Sequence, residues 1–339
     1  MENSDRRKAA RAGGGALSAE AGESALRRLF FRQPELFAFL LLFCVLAGGC
    51  GENEEVVRVD LSHRERIVVA KPAEAVTYAY LPQYSHTTSY TRHNPLVEYL
   101  ERESGLTMRQ VFPDTFEEHT RMVERGEIDI SFSNPFTYVR LAQKGATAFA
   151  RVIEPSGRPF FRGQIIARID SGIRRLEDCE GKRWIAVDPL SAGGYLFALG
   201  MFHDMGLDTD DFAAVDFAPG PGGKQEKAVL AVYAGKYDFA SIREGTLDIV
   251  RDKIDPERIR VVATTQAYPG WVYAARKGLD PAVVDRIRNA MFRLSMEEPE
   301  GGRILANAGI RGIIPAADAD YAPIRELMSK LDLYGEVDW

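Results

Sequence analysis

Cysteine is scarce: the 339 residues hold three, Cys44, Cys50 and Cys179. Three thiols make no disulfide framework of the kind that staples small folds, and a chain of this length buries a sufficient core without one. Histidine is also sparse. His63, His86, His93, His119 and His203 show no metal-binding spacing, so neither a metal site nor a cofactor is expected. Positive charge is not in excess, with 43 Lys and Arg against 49 Asp and Glu and a formal net charge of −6. That balance argues against nucleic acid or an anionic membrane surface as partner, but a small anion stays open because a local positive site can sit on a negative body. No nucleophile elbow, P-loop or supported carboxylate pair is present. Nor is there an apolar run of the roughly 20 residues needed to span a bilayer.

One shorter apolar run is present, over residues 36–47. Arg27, Arg28 and Arg32 precede it, and Leu46-Ala47-Gly48-Gly49-Cys50 leads from it into the acidic stretch 51–55. Basic flank, short apolar stretch and small residues before a Cys resemble a bacterial lipoprotein signal, although the usual Leu three residues before the Cys is here Ala47. On that reading residues 1–49 are a signal segment and Cys50 carries lipid such as palmitate at the outer face of a bacterial membrane. Residues 50–66 are then a tether. A short membrane anchor with an unmodified Cys50 is the competing reading. Residues 1–24, polar and rich in Ala and Gly, stay out of the fold reading. Cys179 remains as the one ordinary thiol, expected to be a small apolar filler.

From Ile67 onward short β-branched runs alternate with amphipathic stretches. Residues 76–81, 107–112 and 128–132 read as strands, and 95–104 and 115–125 as helices. The alternation predicts an α/β fold with a largely parallel sheet. The pattern V-x-x-G-x-x-D occurs twice, over 123–129 and 232–238, each time ahead of a strand and a turn into a helix. Chance can produce three identities; two units of related design can as well. In the first unit Ser133-Asn134-Pro135 is the turn, with Asn134 as N-cap and Pro135 at the first helical position. In the second, Arg243 and Glu244 stand at the matching positions, before a helix over 246–253. Both turns fall at carboxyl ends of strands, the edge at which open α/β sheets bind ligands.

A third turn carries the strongest chemical signal. A buried strand over 184–187 leads through Asp188-Pro189-Leu190-Ser191-Ala192-Gly193-Gly194-Tyr195 into a helix with Leu196, Leu199 and Phe202 on its apolar side. Gly193 and Gly194 let a ligand approach the backbone, and the amides and positive dipole end of the helix would face an anion. The plain alternative is Ser191 as an N-cap on an ordinary turn.

The succession Asn94-Pro95-Leu96-Val97-Glu98-Tyr99-Leu100, Gly126-Glu127-Ile128-Asp129, Ser133-Asn134-Pro135-Phe136-Thr137-Tyr138-Val139, Asp170-Ser171-Gly172-Ile173, the 181–196 stretch and Gly235-Lys236-Tyr237-Asp238 resembles the phosphate, phosphite and phosphonate class of ABC-transporter solute-binding proteins. The resemblance covers residues 65–335. It implies a type II periplasmic-binding fold, in which two α/β lobes joined by two crossing strands close on a ligand in a central cleft. The crossings are expected near 159–164 and 265–271. Residues 67–160 then form the first part of lobe one, 161–266 lobe two, and 267–339 the rest of lobe one, with late helices over 283–294 and 321–331.

The ligand-binding residues expected from this reading are Tyr84, Ser133, Asn134, Tyr138, Arg162, Ser191, Gly193, Gly194, Tyr195 and Arg243. Tyr80, Tyr84 and Tyr90 serve either as cleft walls or as packing. Where family members show a Ser-Thr-Ser-Gly-Tyr loop, this chain has Ser191-Ala192-Gly193-Gly194-Tyr195, and the His that often follows the next strand is absent from 217–224. Arg243 replaces a residue commonly neutral or acidic. Lost hydroxyls and a gained guanidinium suit a sulfonate or carboxylate as well as a phosphonate. Arg243 either pairs with the ligand or forms a structural pair with a neighbour such as Glu244 or Asp248. The resemblance implies a lipid-anchored, monomeric receptor that passes a small anionic solute to an ABC permease and ATPase, without catalysis. A sensor for a membrane kinase and an enzyme on the same fold are the alternatives.

Overall fold

The structure, a computed structural model, describes residues 75–334. The expectations for the signal segment, Cys50, the tether and His63 fall outside them. The described elements all belong to one compact unit, Val69–Trp339.

Two sheets form two α/β lobes. The first has the strand order β13-β4-β12-β3-β1-β2, built from β1 (Val76–Tyr80), β2 (Met108–Gln110), β3 (Ile130–Ser133), β4 (Thr147–Ile153), β12 (Val272–Ala275) and β13 (Gly312–Pro315). The second has the order β10-β6-β9-β7-β8, from β6 (Gly163–Arg168), β7 (Arg183–Ala186), β8 (Ala214–Phe217), β9 (Phe239–Arg243) and β10 (Ile259–Thr264). Between them run the crossing strands β5 (Phe160–Phe161) and β11 (Tyr268–Pro269), paired antiparallel. Each sheet is mixed rather than largely parallel. In lobe one only β2, β1 and β3 run together, and in lobe two only β8, β7 and β9. The strands next to the crossings run antiparallel, because a chain that leaves one lobe and returns must reverse there.

The repeated heptapeptide builds the same corner twice. In lobe one the Asp129 carboxylate accepts from the amide of Thr77 at 2.8 Å, while the Asp129 amide donates to the Thr77 carbonyl. In lobe two Asp238 accepts from the amide of Arg183 at 2.8 Å and its own amide donates to the Arg183 carbonyl. Each Asp thus caps the entry of the neighbouring parallel strand, β1 or β7. Its side chain replaces a ladder partner where the sheet has none to offer.

Helix α1 (His86–Ser104) begins two and a half turns earlier than the 95–104 stretch suggested. Its first half is polar and carries little apolar periodicity, and Ser85 caps it. Pro95 therefore lies inside the helix and has no N–H for the Thr91 carbonyl four residues back. The Asn307 side-chain amide donates to that carbonyl at 2.6 Å, so α8 (Pro299–Ala308) supplies the bond the proline withholds. Leu96, Val97 and Leu100 join the lobe-one core, against α7 (Pro281–Phe292) and the sheet. Helix α2 (Phe116–Glu124) is capped by Thr115, and α3 (Pro135–Gln143) by Asn134 with Pro135 first. The helix expected over 246–253 is shorter, α6 (Thr246–Ile249), followed by a 3-10 turn over Arg251–Lys253. In lobe two Trp184 is fully buried among Phe202, Phe212 and Phe239, and Cys179 fills a gap in the same cluster. Burial pushes the Cys179 thiol up to about 12, so it offers no thiolate for chemistry at neutral pH.

Candidate functional site

The carboxyl ends of β1, β3, β7 and β9 face one another across the cleft, which is nearly closed there and leaves a narrow space of about 10 Å³. Asn134, Ser191, Gly193 and Arg243 line it, four of the residues singled out from the sequence. Gln83 and Phe116 of lobe one, Ala192 and Gln225 of lobe two, and Phe161 and Trp271 beside the crossings complete the wall.

The lobe-two side is a helix entrance. A wide turn over Ala192–Leu196 precedes α4 (Phe197–Asp204), and the Ser191 hydroxyl accepts from the Gly194 amide at 3.1 Å. The first amides of such a turn have no acceptor within the helix, and the peptide dipoles add partial positive charge at the same end. At Gly193 the turn packs tightly against its neighbours. A Cβ there would stand 2.9 Å from the Arg243 Cβ and 2.9 Å from the Phe161 ring. Gly194 serves a different purpose: a Cβ on it would meet the Val187 side chain at 2.4 Å, and its carbonyl accepts from the Ser241 hydroxyl at 2.6 Å. Ser241 in turn accepts from the Trp184 indole, which ties the turn to the lobe-two core.

Lobe one presents a helix entrance that its own side chain has closed. Asn134 Oδ1 accepts from the amides of Phe136 and Thr137 at 2.9 and 3.0 Å, while its Nδ2 crosses the cleft to the Leu190 carbonyl at 3.0 Å. The Thr137 hydroxyl donates to the same carbonyl. Ser133 is buried, and its hydroxyl has no hydrogen-bond partner among the described residues.

Arg243 projects from the end of β9 over the Phe161 and Trp271 rings and pairs with Glu154 of lobe one at 2.8 Å. The pair differs from the neighbours weighed on the sequence: Glu244 accepts from the Arg162 amide and Asp248 pairs with Arg251. Strand β9 ends at Arg243 itself, so its side chain reaches across to the segment leaving β4 rather than along its own loop. Burial works against the Arg243 charge, but Glu154, Tyr84 and Tyr80 more than offset it, and the guanidinium stays charged. A second cation, Lys224 at the start of α5 (Lys224–Tyr233), pairs with Asp188 in a buried contact beside the cleft. Both buried cations thus sit against carboxylates, and Glu154 keeps one oxygen, Oε1, without a partner among the described residues.

The remaining sequence-singled residues lie elsewhere. Tyr84 and Tyr80 stack in parallel beside an adjoining chamber of about 30 Å³, with Arg92 over the Tyr84 ring. Tyr90 is half exposed on α1. Tyr138 turns into lobe one, where its hydroxyl donates to Asp318 at 2.7 Å. Tyr195 packs edge-on against Phe217 in lobe two. Arg162 braces the crossings by donating to the Thr265 carbonyl at 2.7 Å. Gln83, Gln225 and Glu154 carried no motif in the sequence. Their only signal was position, each just past the end of a strand or at the start of a helix.

Residues 78–321 match the family of ABC-transporter phosphonate periplasmic substrate-binding proteins. A phosphate-import protein, PhnD, of Mycolicibacterium smegmatis is 26% identical over 272 residues, covering 75% of this chain and 85% of that protein. The tetrathionate sensor histidine kinase TtrS of Salmonella typhimurium is 24% identical over 212 residues, which are 58% of this chain and 36% of the kinase. Among solved structures, PhnD1 of Prochlorococcus marinus in complex with methylphosphonate superposes with a TM-score of 0.69 at 13% identity, covering 77% of this chain and 99% of that one. The binding component of an ABC phosphonate transporter of Pseudomonas aeruginosa gives 0.68 at 19% identity, covering 77% and 87%. Fold, cleft and sequence match agree: the chain belongs to the phosphonate periplasmic substrate-binding proteins of ABC transporters, a family of binding proteins rather than enzymes.

Proposed function

We propose that this protein captures a small phosphonate-, phosphite- or phosphate-like anion between the lobes, at the space lined by Asn134, Ser191, Gly193 and Arg243, and presents it to an ABC permease and its ATPase, as a monomer anchored through lipid on Cys50. The observation that carries the reading is the Ser191 turn at the entrance of α4, whose Ser191, Ala192 and Gly193 line the space between the lobes opposite Gln83 and Asn134. The turn supplies oriented amides, while Asn134 fixes the lobe-one side. Because Arg243 and Lys224 are already matched by Glu154 and Asp188, oriented dipoles hold the anion more than net charge does.

Calorimetry of the protein with inorganic phosphate, phosphite, methylphosphonate, a methylsulfonate and acetate tests the solute class. A phosphorus oxyanion is expected to bind best; preference for the sulfonate or acetate overturns that choice. Arg243 and Glu154 sharpen it. Arg243→Gln should weaken the bound anion about tenfold, about 1.4 kcal/mol, and Glu154→Gln should strengthen it by a similar factor because it releases the guanidinium charge. Equal affinities in both variants would place Arg243 outside the binding set. Release of the protein from membranes by Cys50→Ala tests the anchor. A second reading, a sensor that reports occupancy to a kinase, is favoured by the match to the TtrS kinase. Growth on the bound solute, lost on deletion of this protein, separates transport from sensing.

A further inference from the structure

Contacts between the lobes fall into two groups at different distances from the crossings. Arg243 and Glu154 sit close to them: β9 is the neighbour of β6, and Glu154 immediately follows β4, which leads to β5. The other group lies far out. Strand β8 is the edge of its sheet, three positions from β6, and β1 is two positions from β12. At about 4.8 Å per strand, the loops after β8 and β1 lie roughly 10–15 Å from the crossing strands. Any rotation of the lobes about β5 and β11 moves that outer contact most.

We infer that the loop over residues 218–223 is the latch that holds the lobes closed, and that Gly222 is a positioning residue for solute capture because only glycine lets the latch seat. Gly222 is buried, at φ 56°, and a Cβ on it would stand 2.7 Å from the Tyr84 carbonyl oxygen and 2.9 Å from the Ser85 amide nitrogen. Both are main-chain atoms at the root of α1 and have no rotamer by which to yield. One residue on, the Gly223 amide donates to the Gln83 carbonyl at 3.0 Å, and the Gln83 side chain lines the solute space. The loop is set on lobe two before it meets lobe one: Lys227 Nζ donates to the carbonyls of Pro219 and Pro221 at 2.9 and 3.2 Å, and Lys224 is pinned to Asp188 after β7. A preset loop thus meets an accepting main chain on the opposite lobe, and the contact uses no atom of the solute. It therefore biases the closed arrangement directly, and solute affinity scales with the fraction of molecules that reach it. The affinity part of this inference rests on the binding reading above; the closure part does not.

Gly223 supplies the control. It has nearly the same backbone, φ 62°, but a Cβ on it would have nothing within 4 Å. Gly222→Ala and Gly223→Ala carry the same left-handed backbone penalty, and only the first collides with lobe one. In the full-length protein, small-angle scattering without and with saturating inorganic phosphate or methylphosphonate should give a larger radius of gyration for Gly222→Ala than for wild type or Gly223→Ala. Affinity for whichever probe binds should fall at least tenfold in Gly222→Ala and stay within about threefold in Gly223→Ala, with similar melting temperatures for the two. An unchanged radius in Gly222→Ala, or equal expansion in both variants, overturns the latch. Expansion confined to Gly222→Ala while neither probe binds wild type supports the latch and overturns the solute class instead.

Discussion

Lobe one and lobe two bring the same device to the cleft, a strand that runs into a turn and a helix entrance, and they finish it in opposite ways. In lobe one Asn134 spends its side chain on the amides of Phe136 and Thr137, so the positive end of α3 is already answered from within. In lobe two the Ser191 side chain takes only the Gly194 amide, and Ala192 and Gly193 of the same turn line the space between the lobes. The contrast teaches that a helix N-terminus attracts an outside anion only to the extent that its own cap leaves donors over. The repeated Asp differs in the same manner. Asp129 is buried and accepts from Thr77 twice and from Arg276, whereas Asp238 makes its equivalent bonds to Arg183 on a partly exposed edge.

The sharpest way to break this comparison is at the two aspartates. Asp129→Ala leaves Arg276 and a buried strand entry unmatched and should cost about 3–5 kcal/mol, while Asp238→Ala should cost about 1 kcal/mol or less because water replaces the carboxylate. Urea denaturation of both variants measures this; equal losses would mean that the repeat, not its burial, sets the energy.

Next in size is Gly193→Val. It places branched carbons into the Arg243 and Phe161 contacts and should lower anion affinity more than a hundredfold, above about 2.7 kcal/mol. Asn134→Ala, whose loss falls mainly on the α3 cap, should instead show as about 1 kcal/mol of stability. Titration calorimetry beside thermal melts distinguishes them, and normal binding by Gly193→Val would show that the lobe-two turn does not hold the anion.

The smallest effect separates the lobes by acid. His93 and His119 are both buried in lobe one, and burial, joined at His93 by Arg92, lowers each to about 3 from about 6.5. Both are neutral in the folded protein, so their stability contribution is complete above about 6.5 and is lost as pH falls toward 3, because the unfolded chain takes up protons the folded one refuses. Between pH 6.5 and 5.5 each should remove about 1 kcal/mol. His93→Gln with His119→Gln should flatten that slope; a slope of the same steepness in the double variant would assign the acid sensitivity to other groups.

Much of this was written locally. Asn134 and Pro135 state a helix start by their chemistry, Gly193 and Gly194 state a close approach, and the V-x-x-G-x-x-D pattern states a strand corner twice. These signals survive because they depend on atoms within a few residues of one another. The polar first half of α1 hid because its helicity rests on a Ser85 cap and on Asn307, more than 200 residues away, rather than on apolar periodicity. Which glycine faces the space and which faces Val187 depends on how the turn lies over the sheet. The Arg243 partner depends on where the chain leaves β4, and the seat of Gly222 on Tyr84 depends on how far the lobes close. Each of those joins main chains or charges distant in sequence, and only the packed lobes put them at bonding distance.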